Sequence, residues 1–210
     1  PSRQTEKQEA FLYNYDMIGN QMVNAGALHQ MLKPYKAHLI TGHTHYNLNV
    51  VFDENLMEHN TAAVCGTWWK ADICLDGTPR GYGVYEVNDN DVKWYYKSSG
   101  YPKEHQFRSY PVGASKEHPS DIIANVWNWD KLWKVEWLED GQLMGNMTRY
   151  TGLDPYAAVV CSDREKMVYT WITPRPTQHM FRATPKNKDA HITVKVTDRF
   201  GKEYIQTINP

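Results

Sequence analysis

The chain of 210 residues sets 23 Lys and Arg against 24 Asp and Glu, a formal net charge of −1. So even a balance gives no electrostatic case for nucleic acid or for an anionic membrane surface. No run approaches the ~18 consecutive apolar residues of a membrane-spanning helix, and the length suits one large or two small domains.

The chain starts at Pro1, without an initiator methionine and without a basic or hydrophobic leader, which predicts a piece cut from a longer protein. Eight Trp and fourteen Tyr stand against five Phe, a bias toward the amphipathic aromatics found in strands and at binding surfaces. Cys65 and Cys74 lie near enough in sequence to bridge adjacent strands, leaving Cys161 over. Three buried thiols fit equally well, so the redox compartment stays open.

Residues 1–9 are polar and read as a loose lead-in. Residues 10–23 mix apolar side chains without a clean period, as helix or irregular structure. Residues 24–33 predict a helix, with Asn24 as N-cap, Leu28, Met31 and Leu32 at helical spacing, and Pro34 as the stop. Residues 37–46, A-H-L-I-T-G-H-T-H-Y, begin as a buried strand through Leu39 and Ile40 and break at Gly42. His43 and His45 follow, one residue apart. In an extended segment both imidazoles face one spot, and such a pair suits Zn, Mn or Fe better than Mg or Ca. His29 and His38 read as packing residues. His59, His105, His118, His179 and His191 lack partners at ligand spacing and read as surface or turn positions.

Residues 47–53 and 56–65 read as strands on either side of a turn at Glu54 and Asn55. Asp76-Gly77-Thr78-Pro79 is a loop signal, and residues 82–87 and 92–97 form a hairpin. Ser98-Ser99-Gly100 is the best domain boundary. Beyond it every segment reads as strand: 122–129, 133–138, 167–172, 192–196 and 204–208. Trp133, Val135 and Trp137 share a face and predict core. Trp127 and Trp129 share a face opposite Val126, so one of those faces is exposed. Asp154-Pro155 and residues 173–176 read as loop punctuation, and Arg164, Arg175 and Arg182 as solvated. Short alternating strands separated by turns predict an antiparallel β-sandwich.

Gly42-His43-Thr44-His45, at the end of an apolar strand, resembles the last metal motif of calcineurin-like metallophosphoesterases. Residues 62–82, A-A-V-C-G-T-W-W-K-A-D-I-C-L-D-G-T-P-R-G-Y, resemble the closing segment of a bacterial subgroup that carries an additional C-terminal β-domain, and the rest of the chain resembles that domain. The resemblance implies an α+β, mostly β fold. Residues 1–97 would be the C-terminal part of an α/β metallophosphoesterase sandwich, and residues 98–210 an antiparallel β-sandwich domain.

It further implies that His43 and His45 each bind one of two divalent ions (Zn, Mn or Fe), whose bridging hydroxide attacks a phosphoester in line. Trp68 and Trp69, if extended, point to opposite sides with one buried. By the same resemblance Trp68, Trp69 and Arg80, beside Asp76 and Thr78, line the substrate cleft. The carboxylate-bearing motifs that precede Gly-His-x-His in that family are absent. The chain alone is therefore expected to be an inactive fragment of a phosphoester hydrolase, with no metal pair of its own.

Exported relatives imply a periplasmic, secreted or cell-surface parent. Strand edges uncovered by truncation predict a homodimer or an exposed apolar face. The rival expectation is a β-rich binding module that recognises a glycan or a partner protein through exposed aromatics.

Overall fold

The structure, a computed structural model, describes residues 24–208. The expectations for residues 1–9 and 10–23 lie outside that range.

Helix α1 (Ala25–Leu32) starts after Asn24, whose side chain makes no capping bond. His29 is buried against Phe52, with ring centroids 4.2 Å apart, so it packs as expected. Strands β1 (Ala37–Thr41), β2 (Leu48–Val51) and β3 (Leu56–Asn60) form a sheet in the order β1-β3-β2, with β1 parallel and β2 antiparallel to β3. The expected buried strand is instead an edge. Among the described residues β1 pairs only with β3, Leu39 is half-buried, and Ile40 is 57% exposed.

The hairpin is β4 (Gly81–Asn88) with β5 (Asp91–Ser98), turning at Asp89 with φ of 51°. Then come β6 (Arg108–Tyr110), β7 (Ile122–Asn125), β8 (Lys134–Glu139), β9 (Gln142–Asn146) and β10 (Thr148–Gly152). Helix α2 (Pro155–Ser162) precedes β11 (Thr177–Ala183), β12 (Ile192–Thr197) and β13 (Glu203–Ile208).

Two four-stranded antiparallel sheets result, β10-β11-β7-β6 and β13-β12-β8-β9. Their inner faces share one apolar cluster, with Ile122, Ala124 and Phe181 from one sheet against Trp133, Val135, Trp137, Val194 and Val196 from the other side. The fold is α+β and mostly β, with an antiparallel sandwich.

Three local expectations fail for identifiable reasons. Strand β7 ends at Asn125, and Val126 and Trp127 are both fully buried. The chain bends there, so the alternation of faces stops. Trp127 enters a second cluster with Ala62, Cys74 and Tyr96, which joins side chains from both sides of residue 98. Asp154-Pro155 starts a helix rather than a loop: Asp154 accepts from the Ala157 amide at 2.8 Å, and Pro155 occupies the first turn, where its fixed φ suits a helix. Residues 167–172 form no strand; Met167 and Ile172 are buried beside Leu75 and Cys161.

Two histidines link β1, β3 and β2. Asn49 donates both amide protons to Asn128, at 2.8 Å to its carbonyl and 3.0 Å to Oδ1. Its Oδ1 therefore accepts from His59 Nδ1 at 3.0 Å, which leaves His59 Nε2 to accept from His38 Nδ1 at 2.9 Å. Burial, then His38 and Arg199, lowers the His59 pKa to about 3. Burial, then Lys36 and Arg199, lowers that of His38. His59 is thus a buried neutral member of the sheet, not the surface residue expected.

The unfolded chain takes up a proton on His59 near pH 6.5, and the folded chain does so only near pH 3. Stability is therefore full above pH 6.5 and falls as pH drops toward 3, by on the order of a few kcal/mol in total. His105, lowered to about 4 by burial and then Arg108, adds to the same slope. Urea unfolding between pH 5 and 6.5, above the carboxylate range, should lose stability in the native chain and lose less in His59→Gln. Parallel curves would contradict this assignment.

Candidate metal and substrate site

The Gly42–His45 loop follows β1 and is held from below. Asn60, buried at the end of β3, donates to Thr44 Oγ1 at 2.7 Å and to the Tyr46 carbonyl at 2.8 Å. The Thr61 amide donates to the Thr41 carbonyl at 3.0 Å. Within this anchored loop His43 and His45 both adopt left-handed backbone, with φ of 76° and 58°. Such conformations cost a non-glycine residue on the order of 1–2 kcal/mol each and gather at functional sites. The segment is bent, so the same-face argument for an extended strand does not apply to it. His43 is exposed and His45 half-buried.

His45 has a defined orientation. Its Nδ1 lies 3.2 Å from the Gly66 carbonyl, which can only accept. Nδ1 therefore carries the proton, with the Cys65 thiol 3.8 Å away from it, and among the described residues Nε2 makes no hydrogen bond. This tautomer is the one a metal-ligating imidazole uses when its other nitrogen is tied to a backbone oxygen. Gly66 is required at that point: its φ is 54°, and a Cβ there would meet the Ala71 and Ile73 carbonyls at 2.8 Å.

The opposite side of the ring region is aromatic. Trp68 stacks on His45 with centroids 4.6 Å apart, and Trp171 meets Trp68 edge-on at 4.5 Å. Trp68 and Trp69 have φ of 47° and 64° in a tight turn, and neither is buried. The expectation of one buried and one exposed indole thus fails, because the extended geometry it assumed is absent. Trp69 is 71% exposed and Arg80 is also exposed; the Arg80 Cβ lies 3.2 Å from where a Gly66 Cβ would stand.

Asp76 and Thr78, expected near the substrate, are buried and serve the fold. Asp76 Oδ2 accepts from the Asn47 amide at 3.1 Å and from Thr78 Oγ1 at 2.8 Å, and lies 3.3 Å from His179 Nε2. Asn125 donates to the Asp76 carbonyl and to Asp154 Oδ2, so its Oδ1 accepts from His179 Nδ1 at 2.6 Å. His179 is therefore an interior residue, not a turn residue.

Asp154 also accepts from Tyr110 at 2.7 Å, and burial followed by this carboxylate raises the Tyr110 pKa. The three cysteines are free thiols. Cys74 is packed in the second cluster, and its pKa is raised by burial and then by Asp76.

Among the described residues no group of three or more His, Cys, Asp or Glu side chains is arranged to hold a metal ion. None of the described helices is long and apolar enough to cross a membrane.

A family model described as the C-terminal part of calcineurin-like phosphoesterase matches residues 58–204, and the chain belongs to that family. The match begins after the Gly42–His45 loop. No curated protein and no solved structure matches the chain.

Gly77 gives the sharpest test of the buried polar core. Its φ is 82°, and a Cβ there would fall 2.1 Å from Asp154 Cγ. Gly77→Ala should cost about 3 kcal/mol in urea unfolding, from overpacking plus backbone strain. A loss under about 0.5 kcal/mol, the range of ordinary surface changes, would show that Asp154 is not held there.

Proposed function

We propose that this chain is the C-terminal part of a metal-dependent phosphoester hydrolase and supplies His43 and His45 to its metal centre. The observation that carries the reading is the His45 ring, fixed through Nδ1 on the Gly66 carbonyl, with Nε2 unbonded among the described residues. Calcineurin-like phosphoesterases generally use divalent metals, and imidazole nitrogens suit Zn, Mn or Fe. Such ions lower the pKa of bound water and neutralise phosphoryl oxygens.

In this reading His45 donates its Nε2 lone pair, His43 offers a second imidazole from the same loop, and Asn60 holds the loop against β3. Trp68, Trp69 and Arg80 border the substrate. The matched family is by its description a C-terminal part, and the remaining ligands, carboxylates among them, belong to the N-terminal part of such an enzyme. The 210-residue chain by itself is inactive. The edge of β1 that has no partner among the described residues, with Ile40 exposed, pairs with that N-terminal part or with a second copy.

The full-length protein should hold about two divalent ions, as the two-metal mechanism requires, and should hydrolyse bis(p-nitrophenyl) phosphate. His43→Ala and His45→Ala should each lower both metal content and turnover, while the isolated chain turns nothing over. Full metal content and full turnover in both variants would overturn the assignment.

A further inference from the structure

Three exposed aromatic rings from distant parts of the sequence meet beside the histidine loop. Trp68 lies against His45, Trp171 against Trp68, and Tyr169 stacks on Trp171 with centroids 5.5 Å apart. Trp171 is 50% and Tyr169 49% exposed. The segment that carries them is anchored. Ile172, next to Trp171, is fully buried with Met167, Leu75 and Cys161, and Tyr46 of the histidine loop packs on the same cluster. The Ile172 amide donates to the Tyr169 carbonyl at 3.1 Å, and the Arg175 amide to the Leu75 carbonyl at 2.9 Å. One buried cluster therefore positions both the end of the histidine loop and the aromatic pair.

Exposed indoles usually appear singly, whereas a contiguous apolar patch marks a binding site. Here the patch is continuous with the His45 ring, on which Trp68 stacks, and it is built from flat π-surfaces. Rings of this kind bind another aromatic ring more tightly than its buried area alone provides, by offset stacking or edge-to-face contact.

Resting on the hydrolase reading above, we infer that Trp171 and Tyr169, with Trp68, form the subsite for the organic group of the substrate, and that this group carries an aromatic ring. The substrate class is an aryl or heteroaryl phosphoester rather than an alkyl one. Trp171 is then a specificity-determining residue contributed by the segment between α2 and β11.

Phenylphosphonate and methylphosphonate test this as competitive inhibitors of the full-length protein, because neither is cleaved and leaving-group reactivity does not enter. The native protein should prefer phenylphosphonate. Trp171→Ala should weaken phenylphosphonate about fivefold or more, the scale of one lost aromatic contact, and leave methylphosphonate within about twofold. Trp171→Phe should restore most of the preference, which a merely structural defect would not allow.

Equal weakening of both inhibitors, or an unchanged ratio in Trp171→Ala, overturns the subsite while the hydrolase reading stands. A native protein that binds metal and cleaves phosphoesters yet prefers methylphosphonate does the same. If the native protein binds neither metal nor phosphonate, the hydrolase reading fails, and the subsite fails with it.

Discussion

The structure turns on one buried carboxylate. Asp76 is almost fully enclosed, and an unpaired ion in such a place would cost several kcal/mol. It is tolerated because Thr78 of its own turn and Asn47 and His179 from two distant segments converge on it. Asn125 then ties His179 to Asp154, which in turn caps α2. A single polar cluster thus fastens the histidine-loop side of the molecule to the β-sandwich. A half-satisfied version of it would be worse than an apolar core.

That constraint has consequences for the candidate site. Asn47 sits two residues past His45, so the bond from its amide to Asp76 fixes the exit of the histidine loop. Its side chain reaches the Trp127 carbonyl at 2.6 Å, which places the sandwich directly behind the loop. Helix α2, capped by Asp154, leads into the segment that brings Trp171 to Trp68. The β-sandwich is accordingly a structural part of the candidate site's surroundings. The two left-handed histidines are held by this frame at an energetic cost, a pattern that gathers where function requires geometry the backbone disfavours.

Much of the sandwich was legible in the sequence, because period-2 alternation is a direct record of one buried face. Trp133, Val135 and Trp137 show it, as do Val194 and Val196. The Gly42–His45 loop was legible as a motif, but its geometry was not. The same-face rule assumes extended backbone, and φ at His43 and His45 is positive.

The sequence makes His59 and His179 look like surface or turn positions because their partners lie outside any local pattern. Asn49 is ten residues from His59, and Asp76 is 103 from His179. No local pattern reports such pairs. Helix α2 is a different case: Asp154 followed by Pro155 is a helix-start signal in its own right, obscured by the strand-rich surroundings. The Tyr169 and Trp171 surface was hidden by the opposite error, since alternation over residues 167–172 imitates a strand where the chain packs as an anchored loop.

The most direct measurement is anomalous X-ray scattering from crystals of the full-length protein grown with zinc, recorded above and below the zinc absorption edge. The account predicts a peak about 2.0–2.1 Å from His45 Nε2, the usual Zn–N distance, with Nδ1 still on the Gly66 carbonyl and His43 at the same metal centre. A metal bound elsewhere with both imidazoles unliganded, or a peak on the Nδ1 side of His45, would contradict it.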